Sequence, residues 1–182
     1  MSTAELQALV AYESMFDNTA HAAEAIVKGL QKAGFEAHSV PVTSLASTGP
    51  FDVDLVVLDA PTHAFSLSRP ATRADAVRQG APAERAGIGA REWIATINPE
   101  RFGTPLIAVF DTRVAEVRRL PLAAGLTAAR LLRRRGFRLL RKPVAFLVED
   151  TRGPLSAGEE AHAERWGQMI GDACRDELDN AA

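Results

Sequence analysis

Short apolar runs alternate with helical patterns along the chain. Leu6–Tyr12 (LQALVAY) predicts a first strand. Beyond a loop, Ala23, Ile26, Val27 and Leu30 recur at three- and four-residue spacing, with His21, Glu24, Lys28 and Gln31 between them. That pattern predicts an amphipathic helix over 19–34, stopped by Gly34. Residues 36–42 are more polar and suit an edge strand. Residues 53–58 (VDLVVL) are almost continuously apolar, as in a central strand covered on both faces. Residues 105–110 and Val144–Val148 predict two more strands. Helices follow over 88–97 and 121–135, the second with Ala124, Ala128, Leu131 and Leu132 inward and Arg130, Arg133 and Arg134 outward. Ser156 and Glu159 have capping-box spacing and open a last helix. Its stripe of Trp166, Met169, Ile170 and Ala173 is expected in the core.

Five strands separated by helices indicate the α/β class: a parallel sheet with helices on both faces. The 182 residues, 47% of them apolar, suffice for a single domain over 1–182 with a full core. Between the third strand and the helix at 88 lies a connection rich in Arg, Ala, Ser and Pro. It exceeds ordinary connections, so 66–87 is a long loop or insertion that is either a functional loop or contains an irregular helix near 72–79. One cysteine, Cys174, excludes an internal disulfide and any cysteine-built metal cage. His21, His38 and His162 lack metal-ligand spacing, so no metal is expected. No run approaches the roughly 20 apolar residues of a membrane span, and no basic leader opens the chain, so a cytoplasmic location is expected.

Charge is unevenly spread. Residues 1–60 hold 2 basic and 8 acidic side chains, 61–148 hold 16 and 6, and 149–182 hold 3 and 9. The cationic run from Arg130 to Lys142 reads either as a solvated face or as a dock for an acidic partner. It lacks interleaved aromatic residues, which argues against nucleic acid.

The stretch Ser14-Met15-Phe16-Asp17-Asn18-Thr19 joins the first strand to the first helix. Backbone N–H groups and the positive end of the helix dipole converge there into an anion site. Ser14, Asn18 and Thr19 add neutral donors. The loop has neither the Gly-Lys-Ser/Thr of a P-loop nor the three glycines of a dinucleotide fingerprint.

On these residues the chain resembles the flavodoxin family, whose Ser-x-x-Gly-Asn-Thr loop wraps the phosphate of FMN. The resemblance continues at Asp59-Ala60-Pro61-Thr62-His63-Ala64-Phe65, where a strand ends in a loop that would flank the flavin ring, and at residues 106–113 (LIAVFDTR), the second ring-side loop. It implies a doubly wound five-stranded sheet of order 2-1-3-4-5, with FMN beyond the carboxyl ends of strands 1, 3 and 4. Cofactor contacts would come from Ser14, Met15, Phe16, Asp17, Asn18 and Thr19, from Pro61, Thr62, His63, Ala64 and Phe65, and from Asp111, Thr112 and Arg113. The implied activity is electron transfer between a reductase and an acceptor protein, with no catalytic acid or base. The alternatives are an FMN-dependent NAD(P)H quinone or nitro reductase, and a flavin-free binding module.

Three departures qualify the resemblance. Asp17 replaces the family's glycine and brings a negative charge to the phosphate loop, so its side chain is expected to point outward. The resemblance implies a glycine-containing peptide in the ring-side loop that flips to hydrogen-bond flavin N5 on reduction, but residues 50–79 contain no glycine, which makes such a flip costlier. Asp59 there reads either as a carboxylate bonded to loop amides or as a proton-transfer group. Asp111-Thr112-Arg113-Val114 has no aromatic to stack on the ring, leaving one ring face to Arg113, to the 66–87 segment, or to nothing.

Overall fold

A computed structural model describes residues 5–45, 52–63, 66–117 and 124–181, apart from the side chains of His63 and Val117. The order is β1 (Leu6–Tyr12), α1 (Asn18–Lys32), β2 (Phe35–Pro41), α2 (Val42–Leu45), β3 (Leu55–Asp59), β4 (Thr62–His63), β5 (Ser66–Leu67) and α3 (Pro70–Arg78). A 3-10 turn (Ala83–Ala86), α4 (Ala90–Thr96), α5 (Pro99–Phe102) and β6 (Leu106–Val114) follow, then α6 (Ala124–Arg134), β7 (Val144–Val148) and α7 (Glu159–Asp179).

Five strands form one parallel sheet in the order β2-β1-β3-β6-β7, the 2-1-3-4-5 winding, with β2 at an edge and β3 in the centre. Alternate residues serve opposite faces. Val10, Leu55, Val57 and Ala108 pack against Ile26 and Leu30 of α1 and Trp166 and Ile170 of α7. Val56, Leu58, Ile107 and Val109 pack against Trp93 and Ile94 of α4 and Ala128 and Leu132 of α6. Burying both faces explains why β3 has no polar residue before Asp59.

On the first face α1 and α7 touch backbone to backbone. A Cβ at Gly29 would lie 2.0 Å from Glu164 O, and one at Gly167 would lie 2.5 Å from Ile26 O. Cys174 of α7 is fully buried, and that burial, reinforced by Asp54 and Glu177, pushes its thiol up to about 12.

Several elements differ from the sequence reading. β6 continues to Val114 rather than ending at Phe110, so Asp111, Thr112 and Arg113 belong to a strand paired with β7 and not to a loop. Asp111 and Arg113 point to the same side of that strand and neutralise each other, which lets it continue. The Pro-Thr loop is a small antiparallel hairpin, Thr62 opposite Leu67. Of the two readings of the segment beyond it, the helical one holds: it contains α3, and also the 3-10 turn. Ser156 and Glu159 form no capping box: Gly158 precedes α7 at φ 84°, and the Glu159 carboxylate accepts the Leu147 N–H instead (2.8 Å). Met169 lies at the margin of its stripe and is 53% exposed, whereas Trp166 and Ile170 are core. Residues 121–123 of the expected fourth helix lie outside the described residues.

Candidate functional site

The loop leaving β1 is tied down before α1 begins. The Glu13 N–H donates to Asp59 Oδ2 at the end of β3 (3.3 Å), and Glu13 Oε2 accepts the N–H of Ala90, the first residue of α4 (2.8 Å). Asp17 then takes φ 66°, the left-handed conformation that the glycine of the resembling motif would supply, and Asp adopts it more readily than most residues. Its carboxylate caps no helical N–H. It instead meets Arg85 Nη1 at 2.6 Å, and the same Nη1 donates to Met15 O (3.3 Å). The acid is thus half exposed and paired with a cation from the 3-10 turn.

Most of the expected residues converge on a cavity of about 520 Å³ beyond the carboxyl ends of β1, β3 and β6. The first loop contributes Ser14, Met15, Phe16, Asn18 and Thr19, the hairpin Pro61 and Thr62, and β6 Thr112 and Arg113. Asp17 is not on this wall; it lines a smaller cavity of about 270 Å³ with Arg85 and Tyr12, and Ser14 borders both. Nor is Asp111, whose carboxylate is gripped by Arg113 through two 2.7 Å hydrogen bonds and by the Gly125 N–H. Burial outweighs those donors and leaves the Asp111 carboxyl above its usual range. Ala64 and Phe65 lie outside the described residues, as does the side chain of His63.

The polar atoms of this cavity are unevenly satisfied. Thr19 Oγ1 and Thr112 Oγ1 hydrogen-bond each other (3.2 Å). Ser14 Oγ and Thr62 Oγ1 are buried without a partner. Orphaned buried hydroxyls are uncommon, and two on one cavity wall mark a place prepared for a polar ligand.

Helix α3, within the 66–87 segment, forms a further wall, with Thr72, Asp75 and Ala76, and Gln79 just beyond it, lining the cavity. Met15 is buried against Ala76 and Ala81, and Arg152 lies over the Phe16 ring (5.8 Å) while also donating to Gln79 O. Arg73 holds the segment in place. Its fully buried guanidinium bonds Ser68 Oγ (2.8 Å), Ala86 O (3.2 Å), Gly87 O (3.3 Å) and Glu92 (3.1 Å). Burial opposes ionisation of Glu92, but Arg73 and the Gly89 N–H keep its carboxyl below the usual range. Gly89 permits this packing, since a Cβ there would lie 2.5 Å from Arg73 Nη1 and 2.7 Å from Glu13 Oε2.

Arg73 and Arg85 were invisible as site residues in the sequence, where they are two of several arginines in a long connection. Glu13 showed no signal beyond adjacency to the loop. Asp59 is fully buried; that burial, with Glu13 and Asp111 nearby, drives its carboxyl well above the usual range despite the amides it accepts from. It is bonded to loop amides and absent from the cavity wall. Among the described residues no group of three or more side chains could hold a metal ion, and no helix is long and apolar enough to cross a membrane.

No protein-family model and no curated protein matches the chain. Solved structures do. A flavodoxin from the domain Archaea superposes with a TM-score of 0.61 at 15% identity, over 93% of this chain and 99% of that one. A point mutant of the flavodoxin from Pseudomonas aeruginosa gives 0.64 at 14% identity, over 93% and 99%. The flavodiiron protein from Giardia intestinalis gives 0.61 at 14% identity, over 97% of this chain but only 38% of that longer one. The resemblance first carried by the loop residues therefore extends to the whole architecture: this chain has the flavodoxin fold.

Proposed function

We propose that the chain binds FMN noncovalently and carries electrons between a reductase and an acceptor protein. The observation that carries this reading is the pair of orphaned hydroxyls, Ser14 Oγ and Thr62 Oγ1, on one cavity at the sheet's carboxyl end. Its volume, about 520 Å³, lies within the roughly 300–1,000 Å³ of small-molecule sites. The donor set fits a phosphate monoester: neutral hydroxyls, an amide and backbone N–H groups at the start of the fifteen-residue α1.

In this reading Ser14, Asn18, Thr19 and the intervening backbone hold the phosphate. Pro61, Thr62, His63, Ala64 and Phe65 flank one side of the ring. Thr112 and Arg113 flank another, with Asp111 fixing the Arg113 guanidinium. The isoalloxazine, when bound, would supply the redox chemistry. Met15 and α3 keep water from one side of the site.

Titration of the apoprotein with FMN, followed by quenching of flavin fluorescence, tests the proposal. Saturable quenching with a Kd of roughly micromolar or below is expected, and Ser14→Ala should weaken it about tenfold by removing a hydrogen bond to a charged group. A chain that quenches no flavin overturns the proposal and leaves a binding module on the same fold.

A second reading, an FMN-dependent NAD(P)H quinone or nitro reductase, is favoured by one feature. Helix α3 adds a wall that could confine a small substrate over the cofactor. NADPH oxidation with a quinone acceptor and no added reductase would select it.

A further inference from the structure

We infer that Arg85 is a charge-compensating residue of the phosphate site: it neutralises Asp17 and so makes a loop that carries a carboxylate able to accept a phosphate monoester. The inference rests on the FMN reading and deepens it. Every donor that the loop itself supplies is uncharged, while a phosphate monoester brings a charge of about −1.5 to −2 at neutral pH. Asp17 sits at the amino end of α1, where the helix dipole favours the ligand's negative charge, and its own carboxylate competes for that favour.

The competition is removed from outside the loop. Arg85 belongs to the 3-10 turn Ala83–Ala86, and its Nη1 reaches both Asp17 Oδ1 (2.6 Å) and the Met15 carbonyl (3.3 Å). One guanidinium nitrogen thereby spans the two sides of the turn at residues 15–17. A guanidinium has five N–H donors, so these contacts leave donors to spare. Arg85 and Asp17 line the smaller cavity, and Ser14, with its orphaned hydroxyl, borders that cavity and the larger one. The cation thus lies beside the anion-binding turn without occupying the cofactor's space. The left-handed backbone at residue 17 and the arginine in the connection act as a matched pair: the first admits an acid where glycine would be easiest, and the second cancels its charge.

Comparing FMN with riboflavin, which lacks the phosphate, separates this role from simple packing. Wild type, Arg85→Gln, Arg85→Lys, Asp17→Asn and the double variant Asp17→Asn/Arg85→Gln are titrated with both flavins, with Tm recorded for each. Arg85→Gln is expected to weaken FMN about tenfold and riboflavin less than about twofold. Arg85→Lys keeps the charge and should stay within about threefold of wild type for FMN. Asp17→Asn, which retains a residue tolerant of positive φ, should tighten FMN, and the double variant should recover wild-type affinity within about threefold. Equal losses for FMN and riboflavin in Arg85→Gln, or no recovery in the double variant, overturn the inference. If Arg85→Gln does not fold, Asp17→Asn decides alone: unchanged or weaker FMN binding refutes charge compensation. A wild-type chain that binds riboflavin and FMN equally refutes the phosphate role while sparing flavin binding, and one that binds neither refutes the FMN reading itself.

Discussion

Asp59 ends the central strand with its carboxyl fully buried, accepting the Glu13 N–H while Oδ1 has no partner. Because burial raises its pKa, the folded chain keeps this proton at pH values where the unfolded chain has released it, above about 3.9. The folded state then binds more protons than the unfolded state, so stability falls as pH rises through the folded pKa. Asp59→Asn preserves the shape and has no proton to lose. It should raise Tm at pH 8 by at least about 2–4 °C, the effect of 1 kcal/mol in a chain of this size, and by less at pH 5. Equal shifts at both pH values in thermal melts would refute the burial argument. At this scale the sequence was partly legible. The tolerance of Asp for positive φ follows from residue type alone, and Asp17 does adopt it. Its neutralisation by Arg85 depends on how a long connection folds back, which no local pattern encodes.

The contact between α1 and α7 shows the same division among elements. The apolar periodicity of both helices was readable, and Ile26, Leu30, Trp166 and Ile170 are core. The role of Gly29 and Gly167 was not, because it depends on where the two helices cross. Gly167→Ala would put a methyl 2.5 Å from the Ile26 carbonyl, forcing the helices apart. Overpacking of this kind costs roughly 1–3 kcal/mol, measurable by denaturant unfolding, and should leave FMN affinity of the folded protein unchanged. The extension of β6 was missed for a related reason. A charged pair, Asp111 and Arg113, reads as a loop in a linear scan, yet the two residues share one side of a strand and satisfy each other. Helix α3 was anticipated near 72–79 and occurs at Pro70–Arg78. Its position against the cavity required Arg73, whose four partners come from the hairpin exit, the 3-10 turn and α4.

For the whole molecule, strand direction decides what the charge asymmetry can do. Helix α6 starts near the carboxyl end of β6 and runs back to feed β7, so its eleven residues span about 16 Å away from the cavity. Arg130, Arg133 and Arg134 are therefore exposed toward the far end of the sheet, and Arg138 there pairs with Glu177. Glu116 and Asp150 line the cavity, where Asp75 is paired with Arg78 and the guanidinium of Arg113 with Asp111. On the proposed electron-carrier reading, a partner would meet Glu116 and Asp150 beside the bound flavin, which favours a basic partner over an acidic one. Stopped-flow electron transfer to a basic acceptor protein should slow as ionic strength rises from about 0.01 to 0.15 M, because the Debye length falls from about 30 to 8 Å. Reversing Arg133 and Arg134 to Glu should leave the rate unchanged. A rate indifferent to salt, or one sensitive to those two reversals, would place docking elsewhere.

The sole cysteine is buried on α7 with its proton held up to about pH 12. Oxidants react with thiolates, so a native molecule presents them nothing to attack. A disulfide between two copies can arise only after both have exposed Cys174, and any such linked species in an ageing preparation is a tally of molecules that have already lost their structure there.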